Sequence, residues 1–79
     1  MFKELDLVVL TKNIKEYGLK MGDLGTIVHL YSDNKAMEVE FIATSGKTIV
    51  VLTLSPKDIR PTAKNEILHV RDFSPTYSI

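Results

Sequence analysis

The side chains best suited to acid–base or metal chemistry in this chain are those of His29, His69, Glu38 and Glu40. Glu38 and Glu40 alternate with Met37, Val39 and Phe41. In a strand that spacing puts both carboxylates on one face, about 7 Å apart. Carboxylate pairs at such a separation act as acid and base in glycosidases, but there they flank a cleft and come from different elements. On a single strand they read as the solvent face of a sheet. His29 and His69 each fall in an apolar strand pattern, with no histidine or acidic neighbour at metal-ligand spacing. A zinc site needs three or four converging ligands. His29 can meet Glu38 or Glu40 across a hairpin as an ordinary cross-strand pair. Thr11, Ser45, Thr48 and Ser55 lie in no Gly-x-Ser-x-Gly elbow. No phosphate loop or dinucleotide fingerprint occurs. The expectation is a non-catalytic protein with no metal and no cofactor.

The elements that carry these residues are short strands and turns. Leu5 to Leu10 is an unbroken apolar first strand, followed by a long polar loop, Thr11 to Met21. Within that loop Ile14, Tyr17, Leu19 and Met21 are apolar enough to fold it back onto a core. Gly22 and Gly25 are expected to bracket a tight turn, where glycine supplies the positive φ that other residues resist. Thr26 to Tyr31 is the second strand, and Ser32-Asp33-Asn34-Lys35 a hairpin connection. Met37 to Ile42 alternates as a half-buried third strand, and after Ala43-Thr44-Ser45-Gly46-Lys47 the fourth runs from Thr48 to Leu54. Ser55 before Pro56 is a helix-start signal for one short turn. Ile59-Arg60-Pro61 closes the series, the proline suiting only a strand end or an edge.

The first and fourth strands are apolar on both faces, whereas one small core buries only one face of each. Asn65 to Phe73 alternates and could form a sixth strand that covers the other. A homodimer is the rival explanation. The reading is therefore an all-β domain over residues 1–62, a five-stranded barrel with a short helical turn before its last strand. Residues 63–79 form a C-terminal extension packing on the barrel or on a second subunit.

Three stretches carry a resemblance. They are Leu5-Asp6-Leu7-Val8-Val9-Leu10-Thr11, Tyr17-Gly18-Leu19-Lys20-Met21-Gly22-Asp23-Leu24-Gly25-Thr26 and Asp58-Ile59-Arg60-Pro61. Together they resemble a family of short bacterial proteins of unknown function with an SH3-like barrel. The resemblance spans roughly residues 1–62; it implies a fold but no activity and no catalytic residues. A more distant likeness is to the KOW motif, whose glycine-bounded turn contacts RNA. Gly22, Gly25 and Ile27 match its Gly-x-x-Gly-x-hydrophobic core, but Asp23 and Leu24 stand where that motif often carries basic residues.

SH3-like barrels commonly bind partners between their first long loop and the loop joining strands two and three. That resemblance points to Tyr17 and Tyr31 as flat aromatic contacts, with Lys12, Lys15 and Lys20 as a rim attractive to an acidic protein. The expected function is a small protein-interaction module, an inhibitor, antitoxin-like or regulatory partner of another bacterial protein. The alternative is a nucleic-acid-binding barrel using the Gly22–Gly25 turn with Lys57, Arg60 and Lys64. Against it, ten basic and ten acidic residues cancel across the 79 positions, whereas a phosphate-gripping module usually carries a positive face.

Composition sets the outer bounds. A chain this short buries only about 60–65% of the surface its unfolded form exposes, so its core is small. Without cysteine it has neither disulfides nor cysteine-ligated zinc, and a reducing compartment is its natural home. Met1-Phe2-Lys3-Glu4 does not read as a signal peptide. The longest apolar runs, Leu7 to Leu10 and Ile49 to Leu52, are far short of a membrane span. A cytoplasmic protein is expected, with no membrane partner.

Overall fold

Alternation in the third strand has its direct counterpart in packing. Met37, Val39 and Phe41 are each no more than 2% exposed, while Glu38 and Glu40 face outward beside them. The computed structural model describes residues 2–73. It contains five strands: β1 (Leu7–Leu10), β2 (Leu24–Leu30), β3 (Met37–Ile42), β4 (Thr48–Leu54) and β5 (Ile59–Pro61). They form one antiparallel sheet in the order β4-β3-β2-β1-β5. All five contribute to a single core, through Val8 and Leu10, Ile27, the three β3 residues, Leu54 and Ile59. Each fully buried aliphatic or aromatic side chain contributes roughly 1.5–3 kcal/mol. Leu19 reaches that core from the first loop. Among the described residues no helix is long and apolar enough to cross a membrane.

The expected turn before the last strand is a 3-10 turn over Pro56–Asp58. Its Asp58 carboxylate accepts from both the amide and the hydroxyl of Ser55, at 3.0 and 3.1 Å. The end of β1 is stitched to the same turn. Thr11 donates its amide to the Asp58 carbonyl at 2.9 Å and its hydroxyl to the Lys57 carbonyl at 3.0 Å.

Three expectations need correcting. Gly25 is not a turn residue. β2 begins at Leu24, and Gly25 sits buried in it opposite Val8. Of the bracketing pair only Gly22 has positive φ, at 97°. Gly25 is needed for a different reason: a Cβ there would lie 2.5 Å from Val39 Cγ1 and 2.9 Å from Phe41 Cε1. Second, β1 starts at Leu7 rather than Leu5, because Leu5 takes a left-handed conformation (φ 74°) while donating to the Ile27 carbonyl at 2.7 Å. Third, residues 65–73 form no strand. Their alternation buries no face: Ile67, Leu68 and Val70 are all exposed. Side-chain bonds rather than a ladder hold them.

The tail nonetheless answers half of the two-faced-strand problem. Val9 is 7% exposed and shares a small cleft with residues 66–69. Val51, on β4, remains 46% exposed.

Candidate functional site

The first loop is a structured element. Ile14 and Leu19 exchange backbone hydrogen bonds at 2.9 and 3.1 Å across a 3-10 turn at Lys15–Tyr17. Gly18 closes that turn in the left-handed region (φ 72°), which suits the residue without a side chain. Leu19 is thereby driven into the core, and the turn presents Lys15, Glu16 and Tyr17 to solvent. Asn13 Oδ1 accepts from the Met21 amide at 2.8 Å and ties the loop's return arm.

Arg71 of the tail then locks onto this loop. Its Nε donates to Asp23 Oδ1 at 2.8 Å and its Nη2 to Oδ2 at 2.6 Å, with a further bond from Nη2 to the Gly18 carbonyl at 3.0 Å. Burial works against the ionised Asp23 carboxyl. The Arg71 hydrogen bond, the Lys20 amide and the charges of both residues outweigh it and hold the pKa below the ordinary value. Phe73 packs against the core just beyond. Between the loop, the tail and the β3–β4 hairpin lies an open groove of about 1020 Å³. Tyr17, Leu24, Ile42, Ile49, Val70 and Phe73 are among its lining residues, and Glu16, Lys47 and Asp72 border it. Its walls are mainly aliphatic and aromatic, with charge confined to a few side chains.

A second polar cluster lies on the outer face at the other end of β2. A register shift between Ile27 and His29 makes Val28 an extra residue, so that His29 rather than Val28 stands opposite Glu38. Glu38 Oε2 accepts from the Tyr31 hydroxyl at 2.6 Å and from Thr53 Oγ1 at 2.7 Å. Those two bonds, the Tyr31 one foremost, lower the Glu38 pKa, and the same contact raises that of Tyr31. The His29 ring meets Tyr31 edge-on at 4.6 Å, and its Nδ1 lies 3.7 Å from Glu4 Oε2. Glu40 is engaged separately by Thr48 Oγ1 at 2.6 Å. A carboxylate held ionised by two hydroxyl donors is a poor proton donor. Among the described residues no group of three or more His, Cys, Asp or Glu side chains is arranged to hold a metal ion.

The residues singled out from sequence are thus divided among separate places. Tyr17, Lys15 and Lys20 share the first loop, with Tyr17 45% exposed. Lys12 is diverted to the Pro56–Asp58 turn, where its Nζ lies 3.1 Å from Asp58 Oδ1. Tyr31 stands at the β2–β3 hairpin, whereas the groove beside Tyr17 is bounded by the β3–β4 hairpin, at the opposite end of β3. The two tyrosines do not form one surface. Of Lys57, Arg60 and Lys64, Arg60 is held bidentately by Glu66, whose carboxyl falls to about 2 chiefly through that hydrogen bond. Arg71, Asp23 and Phe73 were missed from sequence. Asp23 carried a faint signal, an acidic residue in a glycine-bounded turn between lysine-bearing segments, but nothing local named its partner.

A family model described as Domain of unknown function (DUF4926) matches residues 4–61. No curated protein and no solved structure shows significant similarity to the chain.

Proposed function

The chain belongs to the DUF4926 family, and from that premise we propose that it is a non-catalytic protein-interaction module, an inhibitor or regulatory subunit of another protein. The observation that carries this reading is the open, largely apolar groove beside Tyr17, walled by the first loop, the β3–β4 hairpin and the Arg71-anchored tail. Aromatic and aliphatic side chains around a concave surface provide rigid contact area at low entropic cost. Lys15 and Lys20 are exposed on the first loop, which suits them to steer an acidic partner toward it. The cytoplasm is the compartment that suits a cysteine-free chain of this kind.

The test is capture from lysate of the source cells by the tagged full chain, with nuclease treatment, comparing wild type with Tyr17→Ala and with Lys15→Glu/Lys20→Glu. A stoichiometric protein that survives nuclease and is lost with Tyr17→Ala is the expected result. Equal capture by all three chains removes this surface as the site. Recovery of nucleic acid, lost on reversing Lys57, Arg60 and Lys64, supports the nucleic-acid reading in its place.

A further inference from the structure

The seat that holds Arg71 is built by the first loop and the residues leading into β2. Asp23 is fixed there without help from the tail. Its Oδ2 accepts from the Lys20 amide at 2.8 Å, its amide donates to the Lys20 carbonyl at 2.9 Å, and its carbonyl accepts from the Leu10 amide at 2.9 Å. Gly18 is set by its own left-handed backbone, with its amide bound to the Lys15 carbonyl. Two carboxylate oxygens and the Gly18 carbonyl are thereby pre-arranged for a planar cation with several donors. That is the geometry of a guanidinium.

The tail that fills the seat is a different kind of element. It lies outside residues 4–61, the span of the family match. Among the described residues, no backbone hydrogen bond joins residues 63–73 to a strand. Its polar hold is two side-chain clasps, Glu66 on Arg60 and Arg71 on the seat. Between the clasps Ile67, Leu68 and Val70 are 93%, 61% and 77% exposed, so this stretch buries little apolar surface. Leu68 and His69 line both the large groove and the smaller cleft of about 210 Å³ over Val9. The tail is the partition between two parts of one surface.

Taking the groove beside Tyr17 as the docking surface, we propose that the Gly18–Asp23 seat is an arginine-binding site for a peptide segment of the partner protein. That segment carries an aromatic residue two positions after its arginine, and the tail's own Arg71 and Phe73 occupy the site until it arrives. The tail displays the required chemistry. Arg71 fills the seat, and Phe73 packs against the core beyond it. Asp72, between them, borders the same groove as Lys47, so an acidic residue beside the arginine agrees with the lysines around the site. Closure by the tail sets the affinity. A seat closed about nine-tenths of the time weakens an outside segment about tenfold.

The test is an NMR titration of the isotope-labelled full chain with a capped peptide of His69-Val70-Arg71-Asp72-Phe73. Arg71→Ala, which empties the seat, is expected to bind this peptide about tenfold or more tighter than the wild type does. The shifts should centre on the Gly18 and Asp23 amides. The same peptide with Arg71→Lys is expected to bind about tenfold or more weakly, because an ammonium cannot span both carboxylate oxygens and the carbonyl. Adding Asp23→Asn to the Arg71→Ala chain should erase that preference. The two peptides on the wild-type chain report the preference without any substitution in the protein. An Arg71→Ala chain that binds no tighter than wild type, shifts centred elsewhere, or equal affinity for the two peptides overturns the proposal. No outside partner enters this assay. Its failure overturns the arginine site without touching the capture result, and failed capture overturns the groove as docking surface without touching the peptide result.

Discussion

Arg71 and Asp23 lie 48 residues apart in sequence, yet the guanidinium of one clasps both carboxylate oxygens of the other. The pair joins the tail to the first loop and so shapes one side of the groove. Both side chains are largely shielded, at 28% and 17% exposure, so the bond is more than a surface ion pair.

Arg71→Ala should release the tail while leaving the sheet folded. A partly buried, charge-assisted contact of this geometry is worth about 1–3 kcal/mol. The expected outcome is a lower denaturation midpoint, together with faster amide exchange and proteolysis confined to residues 62–73. Uniformly faster exchange across β1–β5 would show that the tail is integral to the sheet's stability.

Acid should weaken the fold through Asp23 and Asp58. For Asp58 burial again opposes ionisation, and the Ser55 amide, Lys12 and the Ser55 hydroxyl outweigh it. Both folded-state values fall below the ordinary 3.8. The unfolded chain therefore takes up protons first as pH falls. The stabilisation is complete above about pH 5 and is lost as pH drops through the folded values. Urea midpoints measured from pH 7 to pH 2 should decline in that window, and Asp23→Asn should flatten the decline while lowering stability at pH 7.

Gly25→Ala should cost more than Gly22→Ala, for a reason of packing rather than of backbone. At Gly25 the added methyl collides with Val39 and Phe41 in the core, and overpacking of this kind costs about 1–3 kcal/mol. At Gly22 nothing lies within 4 Å of the new atom and the positive φ alone is penalised, by about 1 kcal/mol. Thermal melts of the two variants check the order. Equal losses would mean that β3 moves aside readily.

Tyr31→Phe should raise the Glu38 pKa toward its ordinary value, since the Tyr31 hydroxyl is the foremost cause of its lowering. A carboxyl-carbon NMR titration reads this directly. The thermal midpoint should stay nearly unchanged, because both groups lie at the surface. An unmoved Glu38 titration would mean that Thr53 alone holds the carboxylate.

Much of the fold was legible because it is local. Alternation in Met37–Ile42 names its own buried face, and Ser55-Pro56 starts its turn by short-range capping. The positions of strands two to five follow to within a few residues from apolar runs separated by glycine, asparagine and proline. Of the four loop residues read as apolar enough to reach a core, Leu19 is buried in it and Ile14 packs against it, whereas Tyr17 and Met21 stay exposed. Less of the groove was legible. Tyr17, Lys15 and Lys20 were found in the loop, but the association of Tyr17 with Val70, Phe73 and the β3–β4 hairpin was not.

The chain's order along itself sets the all-β class, the strand sequence and the membership that residues 4–61 display, since propensity and turn chemistry act over a few neighbours. Only the tertiary structure decided that Gly25 is a packing residue under β3 and that Val28 is extruded so that His29 faces Glu38. It alone joined Arg71 to Asp23 and diverted Lys12 to Asp58. Each of these depends on contacts between residues distant in sequence, where no local period or spacing says which side chain will arrive.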